Sequence, residues 1–271
     1  MPKSVKVSAY VIAYNEEEKI EDCLQTVLWA DEIVVADSFS SDRTAEIAES
    51  MGAKVIQVPF TGFGDLRNSA ISECMGDWIL SVDSDERCTM EVRDEICKVM
   101  SDPGSLDIYR IPRRNFFMGR WIRHSGWYPN YRQPQLFRNG SMTYGTESVH
   151  EGYVTESDKE IGTLNSAIWQ IPFKNFEEVI EKGNRYSTLG VGKLKERGKK
   201  GSFGAALFHG WWAFIKHYIF KRGFLDGWPG FIIALVNFNG TFYRYAKLTE
   251  QQADWSFPKS EKVPKMPITE N

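Results

Sequence analysis

Cysteine is scarce in this 271-residue chain, and its four copies, Cys23, Cys74, Cys88 and Cys97, form neither a CxxC pair nor a zinc-like spacing. A chain of this length can bury roughly three quarters of its unfolded surface and needs no disulfide staple. The pattern favours a reducing compartment with buried thiols. Excess charge is missing too: 33 basic against 36 acidic residues leave a net charge of -3, which argues against general nucleic-acid binding. There is no GxGxxG and no GxxxxGK[ST], so dinucleotide oxidoreductases and P-loop phosphotransferases lose their usual support. The opening MPKSVKVSAYVIAYNEEE is too short and too polar in its apolar run for a signal peptide, and a cytoplasmic protein is expected. Its apolar content of 42% and aromatic content of 14% describe a well-filled globular domain, not a disordered chain.

The first third alternates short apolar runs with helical patterns. Val5 to Ala13 reads as a strand, Ile20, Cys23, Leu24, Val27 and Leu28 as a helix face, and Ile33 to Ala36 as a second strand ending at Asp37. Ser41 or Asp42 is expected to cap a helix that Gly52 terminates. A strand over Lys54–Val58, a helix over Gly64–Met75 and a strand over Trp78–Val82 follow, the last running into Asp83-Ser84-Asp85-Glu86. This order predicts an α/β fold with one mostly parallel sheet covered on both faces. Ligands of such sheets bind beyond the carboxyl ends of the strands, where Asn15, Glu16, Asp37 and Asp83 to Glu86 collect. The middle has strand-like pieces at 108–111, 135–137 and 152–155 around a basic aromatic stretch, 113–132. A charged helix is expected around Phe176–Lys195. Phe203–Phe220 and Phe231–Tyr245 are apolar, but His209, Lys216 and His217 interrupt one, and Asn237, Asn239 and Arg244 the other. They read as amphipathic helices in peripheral contact with a membrane or a twin subunit. The expected organisation is thus 1–105 for the ligand-binding part of the domain, 106–170 for the acceptor side of the same domain, a helical extension over 171–255, and a poorly ordered tail over 256–271.

Alternation in an extended segment would point Asp83 and Asp85 the same way, as two hard oxygen donors for Mg²⁺ or Mn²⁺ against a diphosphate. Either residue could instead cap a turn. Asp37 could accept from a base N–H or a ribose hydroxyl, or could organise the Ser-rich turn after it. Arg67, read as opening a helix, could reach a phosphate or base edge, or make a salt bridge. Glu147, His150 and Glu151 form a second group. If a sugar is joined to a hydroxyl, a carboxylate must take the hydroxyl proton near neutral pH; Glu151 is the candidate base, His150 its orienter and Glu147 the reserve. His124 could line an acceptor pocket. Lys221-Arg222-Gly223 either binds phosphate head groups or ends a helix with favourable charge.

VIAYNEE, IVVADSFSSDRTAEIA, DLRNSAI and ILSVDSDE, in this order and spacing, resemble the successive motifs of the family 2 glycosyltransferases, inverting enzymes of the A-type (GT-A) fold that use nucleotide-activated sugars. VHEGY and the stretch FIKHYIFKRGFLDGWPGFIIALVNFNGTFYRYAKL resemble the lipopolysaccharide-core heptose 1,4-β-glucosyltransferase branch. The resemblance implies that Asn15, Glu16, Asp37 and Arg67 help hold the nucleotide, that Asp83 contacts its ribose or phosphate side, that Asp85 ligates the cation, and that Glu151 is the base. Ala13 stands where many relatives have proline. The QxxRW signature of processive members is missing, which favours transfer of a single sugar, with Arg222 a substitute for the lost arginine at the diphosphate. The expected partners are a UDP-sugar donor and a glycan or glycolipid acceptor. A polyisoprenyl phosphate acceptor, or an inactive nucleotide-binding scaffold at the membrane, are the competing readings.

Overall fold

The computed structural model describes residues 5–129, 133–145, 152–155 and 160–253. Glu147, His150, Glu151 and the tail over 256–271 lie outside the described residues. The chain divides into two compact units, Met1–Lys174 and Asn175–Asn271.

The first unit is built on β1 (Val7–Ala13), α1 (Ile20–Gln25), β2 (Glu32–Asp37), α2 (Thr44–Ser50), β3 (Lys54–Gln57), α3 (Phe63–Ser72) and β4 (Trp78–Asp83). After it come β5 (Glu86–Arg87), α4 (Met90–Ser101), β6 (Ile108–Arg110), β7 (Arg113–Phe117), β8 (Arg120–Trp121), β9 (Leu136–Arg138), β10 (Met142–Tyr144), β11 (Tyr153–Thr155), β12 (Gly162–Thr163) and β13 (Ile168–Gln170). A seven-stranded sheet runs in the order β12-β6-β9-β4-β1-β2-β3. It is parallel apart from β9, which is antiparallel to β4 and β6. A four-stranded sheet, β5-β13-β7-β8, and the β10-β11 pair complete the unit.

The period-2 pattern of β1 explains its central place. Val7, Ala9, Val11 and Ala13 enter one core with Cys23, Leu24 and Val27, while Tyr10 enters the opposite core with Leu66 and Ala70 of α3. β4 divides likewise, Trp78, Leu80 and Val82 against Ile79. Strands buried on both faces are what a continuous apolar run produces. The chain leaves β1 towards β2 and β3 and returns to β4 on the other side of β1, which makes the β1/β4 boundary the topological switch point, where an open α/β sheet opens a crevice. At the opposite end, Gly76 presses on β1: a Cβ there would lie 2.6 Å from the Ser8 nitrogen, so only glycine fits this approach. Cys23, Cys74 and Cys88 are buried as the sequence suggests, whereas Cys97 is exposed, and all four are free thiols.

The middle region is richer in strand than its sequence indicated. The basic aromatic stretch contains the β7/β8 pairing, and β10, β12 and β13 were also not expected. In β7, Arg113, Asn115 and Phe117 are buried while Arg114 and Phe116 are half-buried, so the inward set is largely polar and hides the usual strand signature.

The second unit comprises α5 (Phe176–Glu196), α6 (Phe203–Ile215), a π-helical turn over Lys216–Phe220, a 3₁₀ turn over Gly223–Asp226 and α7 (Trp228–Gln252). Asn175 caps α5 by accepting from the Glu178 N–H, and Ser202 caps α6 by accepting from Ala205. Pro229 fits the first turn of α7, where its missing N–H costs nothing. Val191, Leu194, Ala206, Tyr245 and Leu248 form this unit's small core. No helix among the described residues is long and apolar enough to cross a membrane.

Candidate active site

Register places the strand-end carboxylates. Ala13 at the end of β1 pairs with Asp37 on β2, and Ile12 pairs with Asp83 on β4. Asp37 and Asp83 therefore flank the end of β1, two strand spacings apart, roughly 10 Å, with Asn15 and Glu16 leaving between them.

The loops on the β2 side are tied by short polar bonds. Asn15 sits at φ +54°, a left-handed conformation that asparagine tolerates better than most residues. Its Oδ1 accepts from Ser41 N at 2.8 Å, and its own N–H donates to Ser40 Oγ at 2.8 Å. The Glu16 N–H donates to Thr44 Oγ1 at 2.8 Å. Asp37 is fully buried and accepts from the Ser40 N–H at 2.9 Å and from the Ser40 hydroxyl. Asp37 thus does organise the serine turn. Asp42 accepts from the Thr44 hydroxyl at 2.5 Å and from Thr44 N and Glu17 N at 3.0 and 3.1 Å; burial pushes its carboxyl up, but these donors together outweigh it and hold it below the ordinary range. The cap of α2 differs from expectation, because Arg43 occupies the cap position without a side-chain bond.

A chain of buried charges forms on the β4 side. Arg67 lies in the middle of α3, not at its start. Its Nη1 donates to Ser81 Oγ at 3.1 Å and its Nη2 to Asp83 Oδ1 at 2.7 Å, while its guanidinium stands 5.4 Å from the centre of the Tyr144 ring. Ser81 and Asp83 share a face of β4 by alternation, which is why one arginine reaches both. Burial would lower the Arg67 pKa, but Asp83 and the neighbouring tyrosines hold it well above its ordinary value. Arg113 Nη2 stands 3.9 Å from the other Asp83 oxygen, and Arg113 Nε donates to Glu86 Oε1. Glu86 is completely buried and accepts from Gln135 Nε2 at 2.8 Å and the Asp83 N–H at 3.1 Å. Burial pushes its carboxyl up to about 7, with Arg113 opposing and Asp83 and Asp85 adding to the rise.

Asp85 departs from the expected alternation. β4 ends at Asp83, Ser84 and Asp85 form a turn, and the chain re-enters a strand at Glu86. β5 pairs antiparallel with β13, setting Gln170 against Glu86, and Gln170 Nε2 donates to the two Asp85 oxygens at 3.1 and 3.3 Å. Asp83 thus meets Arg67 and Arg113, and Asp85 meets the Gln170 amide. The sequence placed Glu86 at the strand end without giving it a role, and it gave no sign of Arg113, Gln135 or Gln170 as site residues.

An aromatic wall stands on the four-stranded sheet. Phe116 and Trp169 rings are 4.9 Å apart, Phe117 meets Trp127 and Phe173, and the guanidiniums of Arg114 and Arg123 lie 4.8 and 4.3 Å from the Trp121 ring centre. His124 lies beside it, its carbonyl accepting from Trp127 N at 3.1 Å. Arg222 lies in the second unit at φ +55°, exposed, between the π-helical and 3₁₀ turns.

Known proteins share both the sequence and the fold. A glycosyltransferase of Rickettsia bellii is 30% identical over 254 residues, spanning 90% of this chain and 86% of its own. The lipopolysaccharide core biosynthesis glycosyltransferase LpsC of Rhizobium meliloti is 27% identical over 263 residues, 93% of this chain and 95% of LpsC. The crystal structure of S. aureus TarS 1-349 in complex with UDP matches with a TM-score of 0.50 at 18% identity, over 94% of each chain, a likeness of fold. The model of glycosyl transferase family 2 covers residues 8–155, more than half of the sequence and the ends of β1, β2 and β4, and the chain accordingly belongs to that family: it is a glycosyltransferase of the GT-A fold.

Proposed function

We propose that the chain transfers a single hexose, glucose from a UDP-linked donor, to a hydroxyl of a lipopolysaccharide core or related glycan, with inversion at the anomeric carbon. The observation that carries this reading is the register that sets Asp37 and Asp83 on either side of β1 at the switch point. The name of the Rhizobium relative supports the acceptor class, and the UDP in the TarS complex supports the donor. A cytoplasmic location in contact with the inner membrane face would bring the chain to such an acceptor.

The donor set suits Mg²⁺ or Mn²⁺, which are held by one or two carboxylates completed by substrate phosphates. Asp85, met by the Gln170 amide, is the principal ligand, and Asp83, already met by Arg67 and Arg113, the secondary one. When bound, the ion neutralises charge on the departing nucleoside diphosphate. Asp37, Asn15 and Glu16 hold the nucleoside. Arg67 fixes the Asp83 carboxylate and retains a buried Nε–H with no partner among the described residues. Glu151 takes the acceptor proton, His150 orients it, and Glu147 is the reserve base. The acceptor oxygen forms its bond to the anomeric carbon as the carbon–oxygen bond to the diphosphate breaks, and the electron pair leaves with the nucleotide. No covalent glycosyl-enzyme is needed.

The test is binding of a panel of nucleoside diphosphates and their sugars, each with and without Mn²⁺. Metal-dependent binding of UDP-glucose is expected; absence of binding across the panel would sink the donor assignment. Glu151→Gln should abolish transfer and leave donor binding intact, while unchanged turnover moves the base to Glu147 or elsewhere.

A further inference from the structure

α6 is turned inside out relative to a helix of a water-soluble fold. Its packed stripe consists of the small residues Ala206 and Gly210, and a Cβ on Gly210 would lie 3.0 Å from the Phe238 ring. The opposite stripe, at helical spacing, carries Phe208, Trp212, Ile215 and, one turn on, Ile219. Phe208 is 69% and Trp212 50% exposed. An outward stripe is normally the polar one. The turns that follow extend the surface, with Phe220 66% and Trp228 64% exposed. Beneath them Phe214, Tyr218 and Phe231 pack ring to ring at 5.3 to 5.8 Å, so the outer rings sit on a built support. The support is tight: a Cβ on Gly230 would fall 1.9 Å from the Gly223 carbonyl oxygen, and Asp226 is buried.

Charge on this region is one-sided. Residues 199–247 contain seven Lys or Arg and one carboxylate, the buried Asp226, in a chain whose net charge is -3. Lys216 and Lys221 are exposed within the same turns as the rings. Cations rimming exposed aromatic and aliphatic side chains fit a surface that is anionic outside and apolar a few ångströms deeper. The 13 residues of α6 span about 20 Å, too little to cross a bilayer, and no described helix is a candidate span.

We propose that α6 and the turns joining it to α7 dock this chain on an anionic lipid bilayer, lying in the interface with Phe208, Trp212, Phe220 and Trp228 among the acyl chains and Lys216 and Lys221 at the head groups. The docking does not depend on the identity of donor or acceptor.

The experiment is flotation of the full chain with vesicles of phosphatidylcholine alone and of phosphatidylcholine mixed with phosphatidylglycerol. Binding to the mixed vesicles, weakened by salt, is expected. The double variant Trp212→Ser/Phe220→Ser should lose about tenfold or more in vesicle affinity, and Lys216→Ser and Lys221→Ser about fivefold each, with the melting temperature of each variant unchanged. Failure to float with either vesicle, or flotation untouched by these substitutions, overturns the proposal. So does a dimer in solution that the aromatic variant converts to monomer without any vesicle binding, which would make the face a subunit interface. Loss of UDP-sugar binding with flotation intact would instead count against the donor reading alone.

Discussion

Between Val7 and Glu86 apolar side chains fill both faces of a sheet, and charged groups are buried with them: Asp37, Arg67 and Glu86 are each less than a tenth exposed. Between Phe203 and Trp228 most of the rings, Phe208, Trp212, Phe220 and Trp228 among them, are exposed, as are Lys216, Lys221 and Arg222, and Asp226 is the buried ionisable group. The first arrangement holds charge out of water at fixed positions, which is costly unless every group has a partner. The second leaves apolar area in water, which is costly unless something covers it. One region is organised around a ligand that enters, the other around a surface that the chain meets.

Substitutions at the strand-end carboxylates test the buried-charge half most severely. Asp83→Ala should lower transfer by about a hundredfold or more and also destabilise the fold by roughly 3–5 kcal/mol, because Arg67 is left buried without its anion. Asp85→Asn should match the loss of transfer but cost less stability than Asp83→Ala in a denaturation experiment, since the asparagine keeps an oxygen to accept from Gln170 Nε2. Equal stability losses at the two positions would mean that the fold depends on Asp85 as much as on the carboxylate that Arg67 holds.

Glu86→Gln is expected to cost about 2–3 kcal/mol in chemical denaturation. It keeps an acceptor for the Asp83 N–H but removes the anion facing Arg113. A parent-like midpoint would mean that Glu86 is already neutral in the folded chain and that Arg113 is balanced by Asp83.

The second unit should respond in the reverse sense. Gly210→Leu, on the packed stripe of α6, is expected to destabilise by about 1–3 kcal/mol through overpacking against Phe238, whereas Trp212→Ser, on the exposed stripe, should change stability by less than about 0.5 kcal/mol. Swapped magnitudes would show that the tryptophan face is inside.

How much of this was legible in the sequence follows from the same contrast. β1, β2 and β4 could be read because strands buried on both faces are mostly apolar runs, and the carboxylates at the ends of β2 and β4 need no further information to be placed; the half-exposed edge strand β3 was legible from Val55 and Ile56. β7 could not, because its inward residues include Arg113 and Asn115, and a polar inward set erases the alternation. The segment after Val82 reads as extended through Asp85 because nothing in Asp-Ser-Asp-Glu marks where extension stops; the pairing of β5 with β13, some 80 residues on, sets the turn at Ser84–Asp85. Gln135 and Gln170 gave no signal, since a neutral amide acquires its role only from what it faces. The outward stripe of α6 was visible as an amphipathic pattern, but periodicity does not say which stripe faces in.

The smallest effect concerns how the first unit holds Gln170 in place. Glu95 on α4 accepts from Asn165 N and Ser166 N, both at 2.8 Å, and so anchors the connection that leads into β13 and to the Asp85 contact. Partial burial raises its carboxyl, but these donors outweigh it and the net shift is downward. A carboxylate with a folded pKa below its unfolded one stabilises the fold above the unfolded pKa, and that contribution fades as pH falls through the folded value. Glu95→Gln should therefore destabilise by on the order of 1 kcal/mol at neutral pH, and the gap between parent and variant in denaturation midpoint should narrow as the solution is acidified below the ordinary carboxylate range. A gap that persists undiminished in acid would mean that Glu95 acts through the shape of its side chain and not its charge. Because the variant leaves every strand-end group in place, any accompanying rise in the metal concentration needed for half-maximal donor binding would report slackening of Gln170 on Asp85. Unchanged metal dependence would show that β13 is positioned by its pairing with β7 and β5 alone.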